Sequence, residues 1–217
     1  MNTALEAART QMVNQQVRAW DVLDPAVLDT LAGVPREQFV PDRYQGLAFA
    51  DTFIPLPCGQ VMLTPQLEGR VLQALELRTS DRVLEVGTGS GFLAACLARL
   101  GGSITSLELH AELAAGARAR LHAAGAVVDV VTADVFAWTP AGPYDAIAVT
   151  GSLATPWPRF AEWLAPGGRL FVVTGRAPVM EACLVRRAAG DELVTTPLFE
   201  TVIPALERAP ADRQFVF

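Results

Sequence analysis

Apolar residues change their spacing along the chain. Over residues 1–50, Val13, Val17, Trp20, Val22, Leu23, Val27, Leu28 and Leu31 recur at helical spacing, and Asp24-Pro25 offers an N-cap followed by proline at the first helical position. Residues 51–65 break the pattern with a loop rich in proline and glycine, after which Thr64 can cap a helix running from Pro65 to Leu77. From residue 82 short apolar runs alternate with helical stretches. Strands are predicted at 82–87, 103–109, 127–132, 144–150 and 169–174, with helices near 90–100, 111–124 and 156–165. A run such as Val83-Leu84-Glu85-Val86 is apolar on both faces, as a parallel sheet covered by helices requires. The alternation, with right-handed crossovers, predicts a doubly wound, mostly parallel α/β sheet. Residues 179–187 and 193–203 read as two more strands, an antiparallel addition at the sheet edge that makes about seven strands in all.

Composition narrows the class. With 217 residues and 51% hydrophobic residues, the chain is sized for one domain with a substantial core and is too apolar for disorder. The formal net charge of −6 argues against general nucleic-acid binding. No apolar run approaches the roughly 20 residues of a membrane span. Glu6 and Gln15-Gln16 sit where an export signal would be apolar. All 17 basic residues are arginines. Cys58, Cys96 and Cys183 are isolated, which fits a reducing cytoplasm, and Cys96 falls on the inner face of a helix. Two histidines, His110 and His122, leave little room for a histidine triad or a multi-histidine metal site.

The candidate chemistry starts at Gly87-Thr88-Gly89-Ser90-Gly91, between the first predicted strand and its helix. Glycines there let a ligand approach the backbone and permit φ > 0, and the helix start offers free N–H groups. Dinucleotide enzymes usually show G-x-G-x-x-G; here the third glycine comes one residue early, and Glu85 precedes the first by two. Glu108 closes the second strand, where a carboxylate would meet ribose hydroxyls; the lesser reading is that it only caps the helix that follows. A nicotinamide dinucleotide is the alternative ligand.

The pattern E-x-G-x-G-x-G resembles motif I of S-adenosylmethionine-dependent methyltransferases, and Leu164-Ala165-Pro166-Gly167-Gly168-Arg169-Leu170 resembles a turn of the same class. Further pieces are similar, in order, to protein-L-isoaspartate O-methyltransferases: Met12-Val13-Asn14-Gln15-Gln16, Val34-Pro35-Arg36-Glu37-Gln38-Phe39-Val40-Pro41, Asp51, Leu56-Pro57, Gly59-Gln60, Pro65, Glu85 to Phe92 and Tyr144-Asp145-Ala146-Ile147. The resemblance spans about residues 11–205 and implies a class I methyltransferase fold with an N-terminal helical cap, S-adenosylmethionine as cofactor and an isoaspartyl protein or peptide as substrate. It assigns cofactor binding to Glu85, Gly87, Thr88, Gly89, Gly91, Glu108, Leu109, Asp134, Val135 and Thr150, and no metal. It assigns the acceptor site to Gln60, Leu63 and Thr64.

The departures fall in the acceptor loop. Val61 stands for the family's threonine, Leu63 for the serine beside the acceptor carboxylate, and one residue is missing before Gln60. Asp134-Val135 stands where the family has Asp-Gly, and Phe199-Glu200-Thr201-Val202-Ile203-Pro204 replaces a V-R-F-V-P-like segment. Several residues keep two readings. Thr64 is a helix cap or a replacement hydroxyl, and Asp134 is a turn residue or a partner of the adenine amino group. Thr150, Gly151 and Ser152 are acceptor-site residues or merely small ones. His110 is expected to be exposed rather than catalytic, and Trp20, Trp138, Trp157 and Trp163 to pack rather than form a substrate cage. The reaction itself needs no general base, because a carboxylate acceptor with a reference pKa near 4 is already ionised at neutral pH. Expected, then, is one cytoplasmic domain binding neither nucleic acid nor membrane: cap and substrate loop over 1–78, cofactor core over 79–175 and C-terminal strands over 176–217. Alternatives are a methyltransferase for another peptide or small molecule, and a cofactor-binding protein with weak catalysis.

Overall fold

A computed structural model describes residues 3–188 and 190–210; residues 211–217, counted above with the C-terminal strands, and residues 1–2 of the cap lie outside the described residues. The cap begins with α1 (Thr3–Gln11), continues through a π-helical stretch, Met12–Val17, and a 3-10 turn, Arg18–Trp20, and then forms α2 (Pro25–Gly33). Asp24 caps α2 by accepting from the backbone N–H groups of Ala26 (2.8 Å) and Val27 (3.4 Å).

The 51–65 stretch is not wholly irregular. Its ends pair as a short antiparallel hairpin, β1 (Ile54–Pro55) with β2 (Val61–Met62), around a 3-10 turn at Pro57–Gly59. Cys58 (φ 58°) and Gly59 (φ 71°) supply the left-handed turn that spacing did not reveal. Then come α3 (Pro65–Leu75), β3 (Arg82–Val86), α4 (Phe92–Leu100), β4 (Ser103–Glu108), α5 (Ala111–Ala123) and β5 (Asp129–Thr132). After these follow β6 (Tyr144–Leu153), α6 (Pro158–Glu162), β7 (Leu164–Arg176), β8 (Val179–Arg187) and β9 (Leu193–Glu200).

Seven strands make one sheet in the order β5-β4-β3-β6-β7-β8-β9; β3 to β7 run parallel, and β8 and β9 are antiparallel additions. Both faces are buried. Val83 of β3 packs into the core shared with the cap, α3 and α4, while Leu84 and Val86 pack into the opposite core around Phe160 and Trp163. Glu85 shares the Val83 face, which places a carboxyl group under helices. Strand order reverses between β3 and β6, so a crevice opens at their carboxyl ends, the usual ligand position in such sheets.

Several boundaries differ from expectation: α3 ends at Leu75 rather than Leu77, α6 is shortened to Pro158–Glu162, and β9 ends at Glu200 rather than Ile203. β5 starts at Asp129 because Val127 is 89% exposed and makes no sheet pairing. β6 runs on to Leu153 because Ser152 bonds the C-terminal segment: its N–H donates to the Pro204 carbonyl (2.8 Å) and its carbonyl accepts from the Leu206 N–H (2.9 Å). Pro166-Gly167-Gly168 forms a bulge within β7, between the Tyr144–Leu164 and Ala146–Arg169 pairs.

Candidate active site

The crevice floor is the β3–α4 turn. Gly87 and Thr88 donate their N–H groups to the Leu107 carbonyl (2.9 and 3.2 Å), which ties the turn to β4. Gly87 has φ +96°, and a Cβ there would lie 2.2 Å from the Thr150 hydroxyl oxygen, so no other residue fits. The Thr150 hydroxyl in turn contacts the Val86 and Gly87 carbonyls (2.8 and 2.9 Å) from β6.

Glu108 forms one wall. Its Oε2 accepts from the Gly89 N–H (2.8 Å) and its Oε1 from the His110 N–H (3.0 Å). These two bonds fix the carboxylate just before α5, and the residue lines the crevice. Leu109, Ala133, Asp134 and Val135 form the next wall. Asp134 is the turn residue expected of it, its Oδ1 accepting from the Phe136 N–H (3.0 Å), and it also lines the crevice.

A second, smaller cavity lies inward and shares Val61, Gly87, Gly89 and Thr150 with the crevice. Its walls include Met62, Leu63, Thr88, Glu68 and Glu85. Glu85 is fully buried; its Oε2 accepts from the Ser106 hydroxyl, which is 2.6 Å from that of Thr88, and its Oε1 has no partner. Burial pushes the Glu85 pKa up to about 8, against the Ser106 hydrogen bond and helped by the charges of Glu108 and Glu68. Glu68 is raised to about 7, again by burial, with the Arg36 guanidinium pulling the other way.

The donor set suits the sulfonium nucleoside expected from the resemblance. The crevice offers a fixed carboxylate and glycine backbone, and the inner cavity a buried carboxyl oxygen without a partner, which are acceptors that ribose hydroxyls and a cationic amino group could use. Among the described residues no group of three or more His, Cys, Asp or Glu side chains is arranged to hold a metal ion.

Three assigned residues do something else. Gly91 lines neither cavity; its φ of +92° starts α4, and a Cβ there would press on Ala117 at 3.3 Å, so it serves helix packing. Thr88 turns its hydroxyl inward to Ser106 and reaches only the inner cavity. Thr64 lines neither cavity, and its hydroxyl accepts from the Leu67 N–H (3.4 Å) as the cap of α3. Gln60, in contrast, lines the crevice mouth, and the Leu63 side chain packs into the core and the inner cavity wall.

The mouth also holds residues that spacing did not assign. Pro204 to Glu207 cross it, the Glu207 carboxylate accepts from the Gln60 amide and lies 3.2 Å from His110 Nε2, and Arg208 pairs with Asp134 (3.1 Å). His110 is thus at the crevice rather than merely at a helix start. Trp138, Trp157 and Trp163 pack edge to face with Phe136 and Phe160 as expected, but Trp20 is 43% exposed, its ring edge against Phe199. Buried Glu68 had one available signal: a charge on the apolar stripe of Leu67, Val71, Leu72 and Leu75.

Comparisons with known proteins agree with this geometry. A sequence model of the family described as Protein-L-isoaspartate(D-aspartate) O-methyltransferase matches residues 7–207. A protein-L-isoaspartate O-methyltransferase from Methylorubrum extorquens (strain PA1) is 44% identical over 169 residues, 77% of this chain and 74% of the relative. One from Koribacter versatilis (strain Ellin345) is 36% identical over 190 residues, 87% and 86% of the two chains. Among solved structures, a protein-L-isoaspartate O-methyltransferase from Plasmodium falciparum in complex with S-adenosyl-L-homocysteine has a TM-score of 0.81 over 92% of this chain and 98% of that one. At 17% identity it shows the shared fold.

Proposed function

The chain belongs to the protein-L-isoaspartate(D-aspartate) O-methyltransferase family, and from that premise we propose how its residues divide the work of the reaction. The enzyme is an S-adenosylmethionine-dependent methyltransferase acting on the free carboxylate of L-isoaspartyl residues in damaged proteins. When bound, the cofactor supplies an activated methyl group on a sulfonium. Everything else falls to the chain: alignment, exclusion of water and charge balance. Holding acceptor and donor in line is worth roughly 7–11 kcal/mol of barrier, enough without a base.

Glu108 holds the ribose hydroxyls as a charged acceptor, its orientation fixed by the Gly89 and His110 N–H groups. Gly87 and Gly89 let the nucleoside lie on the backbone, with Leu109 and Val135 as apolar walls and Asp134 at the adenine edge. Glu85 would hold the cationic amino group with its orphaned Oε1, an opposite charge that favours the ionised carboxylate against the burial that raises its pKa to about 8. Thr150 keeps the glycine turn open between the crevice and the inner cavity. The acceptor enters beside Gln60, Val61 and Leu63.

The observation that carries this assignment is the orphaned, fully buried Glu85 oxygen in a cavity continuous in its lining with the Glu108 crevice. Leu63 and Thr64 together favour a slow variety of the reaction on isoaspartyl peptides, since neither puts a hydroxyl into either cavity. The chain works as one domain, in the cytoplasm, without nucleic acid or membrane; no helix among the described residues is long and apolar enough to cross a bilayer. The test is transfer from labelled S-adenosylmethionine to an isoaspartyl peptide and to its aspartyl twin. Label should enter the first and not the second. Equal labelling of both, or of neither, would refute the substrate assignment.

A further inference from the structure

Arg36 is a fully buried guanidinium, and no step above uses it. It lies in the cap, yet its donors reach three other segments. Nε donates to the Ala48 carbonyl (2.8 Å), one terminal nitrogen to the Leu63 carbonyl of the acceptor loop (2.6 Å), and the other pairs with Glu68 on α3. Its plane lies 4.7 Å from the ring centre of Phe92, the first residue of the helix that follows the glycine turn. Cap, acceptor loop, α3 and cofactor helix therefore meet at one side chain.

Stability does not explain such a residue. Burying an ion pair costs desolvation that its attraction barely offsets, and well-packed apolar replacements are often as stable. Geometry explains it better. A planar fork with five donors can hold two carbonyls and a carboxylate in fixed relation, which a lysine ammonium cannot do from one point. Of those partners, the Leu63 carbonyl and the Glu68 side chain belong to residues lining the inner cavity.

We propose that Arg36 is a positioning residue for methyl transfer: it sets the backbone of the acceptor loop at Leu63 against the cofactor helix, and so fixes where the acceptor stands. This rests on the acceptor loop assigned above. Cofactor affinity should be nearly independent of it, because Arg36 lines neither cavity.

The experiment compares the native protein with Arg36→Lys, which keeps a charge for Glu68 but loses the fork, and with the paired Arg36→Met/Glu68→Leu, which replaces the ion pair by apolar volume. Three quantities are measured: hydrogen exchange of amides in residues 54–64, calorimetric affinity for S-adenosylhomocysteine, and KM and kcat for an isoaspartyl peptide. In whichever variant folds, loss of a charge-assisted bond to the Leu63 carbonyl should speed loop exchange about tenfold or more and lower kcat/KM by a similar factor, mostly through KM. In Arg36→Lys, which leaves every residue of both cavities in place, S-adenosylhomocysteine affinity should stay within about threefold of native, less than one such bond is worth. Unchanged exchange in 54–64 would overturn the proposal, as would faster exchange across the whole molecule accompanied by loss of cofactor affinity. Should the native protein fail to methylate the isoaspartyl peptide, the substrate assignment falls, while exchange and affinity still decide the role of Arg36.

Discussion

The cofactor crevice and the inner cavity beside the acceptor loop share Val61, Gly87, Gly89 and Thr150 as walls, but crevice and loop are built differently. The crevice comes from strand ends and the turn that follows each: Val86-Gly87 after β3, Glu108-Leu109 after β4, Asp134-Val135 after β5 and Thr150 on β6. Its carboxylates each have a near brace, Glu108 from the His110 N–H and Asp134 from the Phe136 N–H, to which the Gly89 N–H and Arg208 add more distant ones. The acceptor loop is a short hairpin whose position is set from a distance. Arg36 holds Leu63 across 27 residues, and Glu207 holds Gln60 across 147. A locally braced site tolerates change elsewhere in the chain, whereas a remotely braced one can be retuned by substitutions far from the chemistry.

The sharpest test of the cofactor side is pH. Glu85 has a folded-state pKa of about 8 against 4.5 for the group in its ordinary state, so the folded form binds the proton more tightly. Its contribution to stability is therefore full below about pH 4.5 and is lost as pH rises through about 8, at up to roughly 1.4 kcal/mol per pH unit. Glu85→Gln, which cannot ionise, should gain about 2–3 kcal/mol relative to native between pH 6 and pH 9 in denaturant unfolding. The same variant should bind S-adenosylmethionine more weakly. A difference that does not move with pH would mean that Glu85 is already ionised inside the fold.

Next in size is Glu108→Ala. Removing a charged acceptor from ribose hydroxyls should weaken cofactor binding by about 1–3 kcal/mol, a factor of roughly five to a hundred and fifty. Peptide KM should hardly change, since Glu108 faces the nucleoside end. Calorimetry and peptide titration read the two effects separately. If peptide KM rose as much as the cofactor Kd, the two regions would not be independent.

The same division decided what could be read in advance. The glycine turn and Glu85 were legible because one strand, one turn and one helix carry them in consecutive residues, and Glu108 because it closes the next strand. The parallel sheet was legible because Val83 to Val86 and their counterparts are apolar on both faces. Gly91 was misassigned because the motif cannot distinguish a glycine beneath a ligand from one that lets α5 approach α4; only the 3.3 Å distance to Ala117 does so. Glu207, Arg208 and the Arg36–Glu68 pair were invisible, since nothing in spacing brings residues this far apart together.

On the acceptor side, Leu63→Ser should raise isoaspartyl transfer and lower stability at once. The serine would add a hydroxyl to the inner cavity wall, worth about tenfold in transition-state binding if it reaches the acceptor carboxylate. Leu63 is only 7% exposed and packs in the main core, so trimming it should cost about 2–4 kcal/mol of unfolding free energy. Assay and denaturation on one preparation report both. A loss of stability with no gain in rate would place the acceptor away from this wall.

The smallest effect is expected at Thr64, where the two readings of one hydroxyl separate. As a cap it satisfies the Leu67 N–H at the start of α3, a helix whose buried face carries Leu67, Val71, Leu72 and Leu75. Thr64→Val keeps the shape and removes the acceptor, which for a helix cap costs about 1 kcal/mol. The 3.4 Å length of the bond puts the loss at the lower end of that range, about 0.5 kcal/mol. As a substrate ligand the same hydroxyl would be worth a charge-assisted bond, and its removal would slow transfer about tenfold or more. Thr64 lines neither cavity, so the first outcome is expected: slightly lower stability, with kcat/KM within about twofold of native, well below the loss of one such bond. A tenfold loss of rate at unchanged stability would instead show that the loop rotates when substrate binds, turning Thr64 inward, and that the acceptor site is assembled only in the complex.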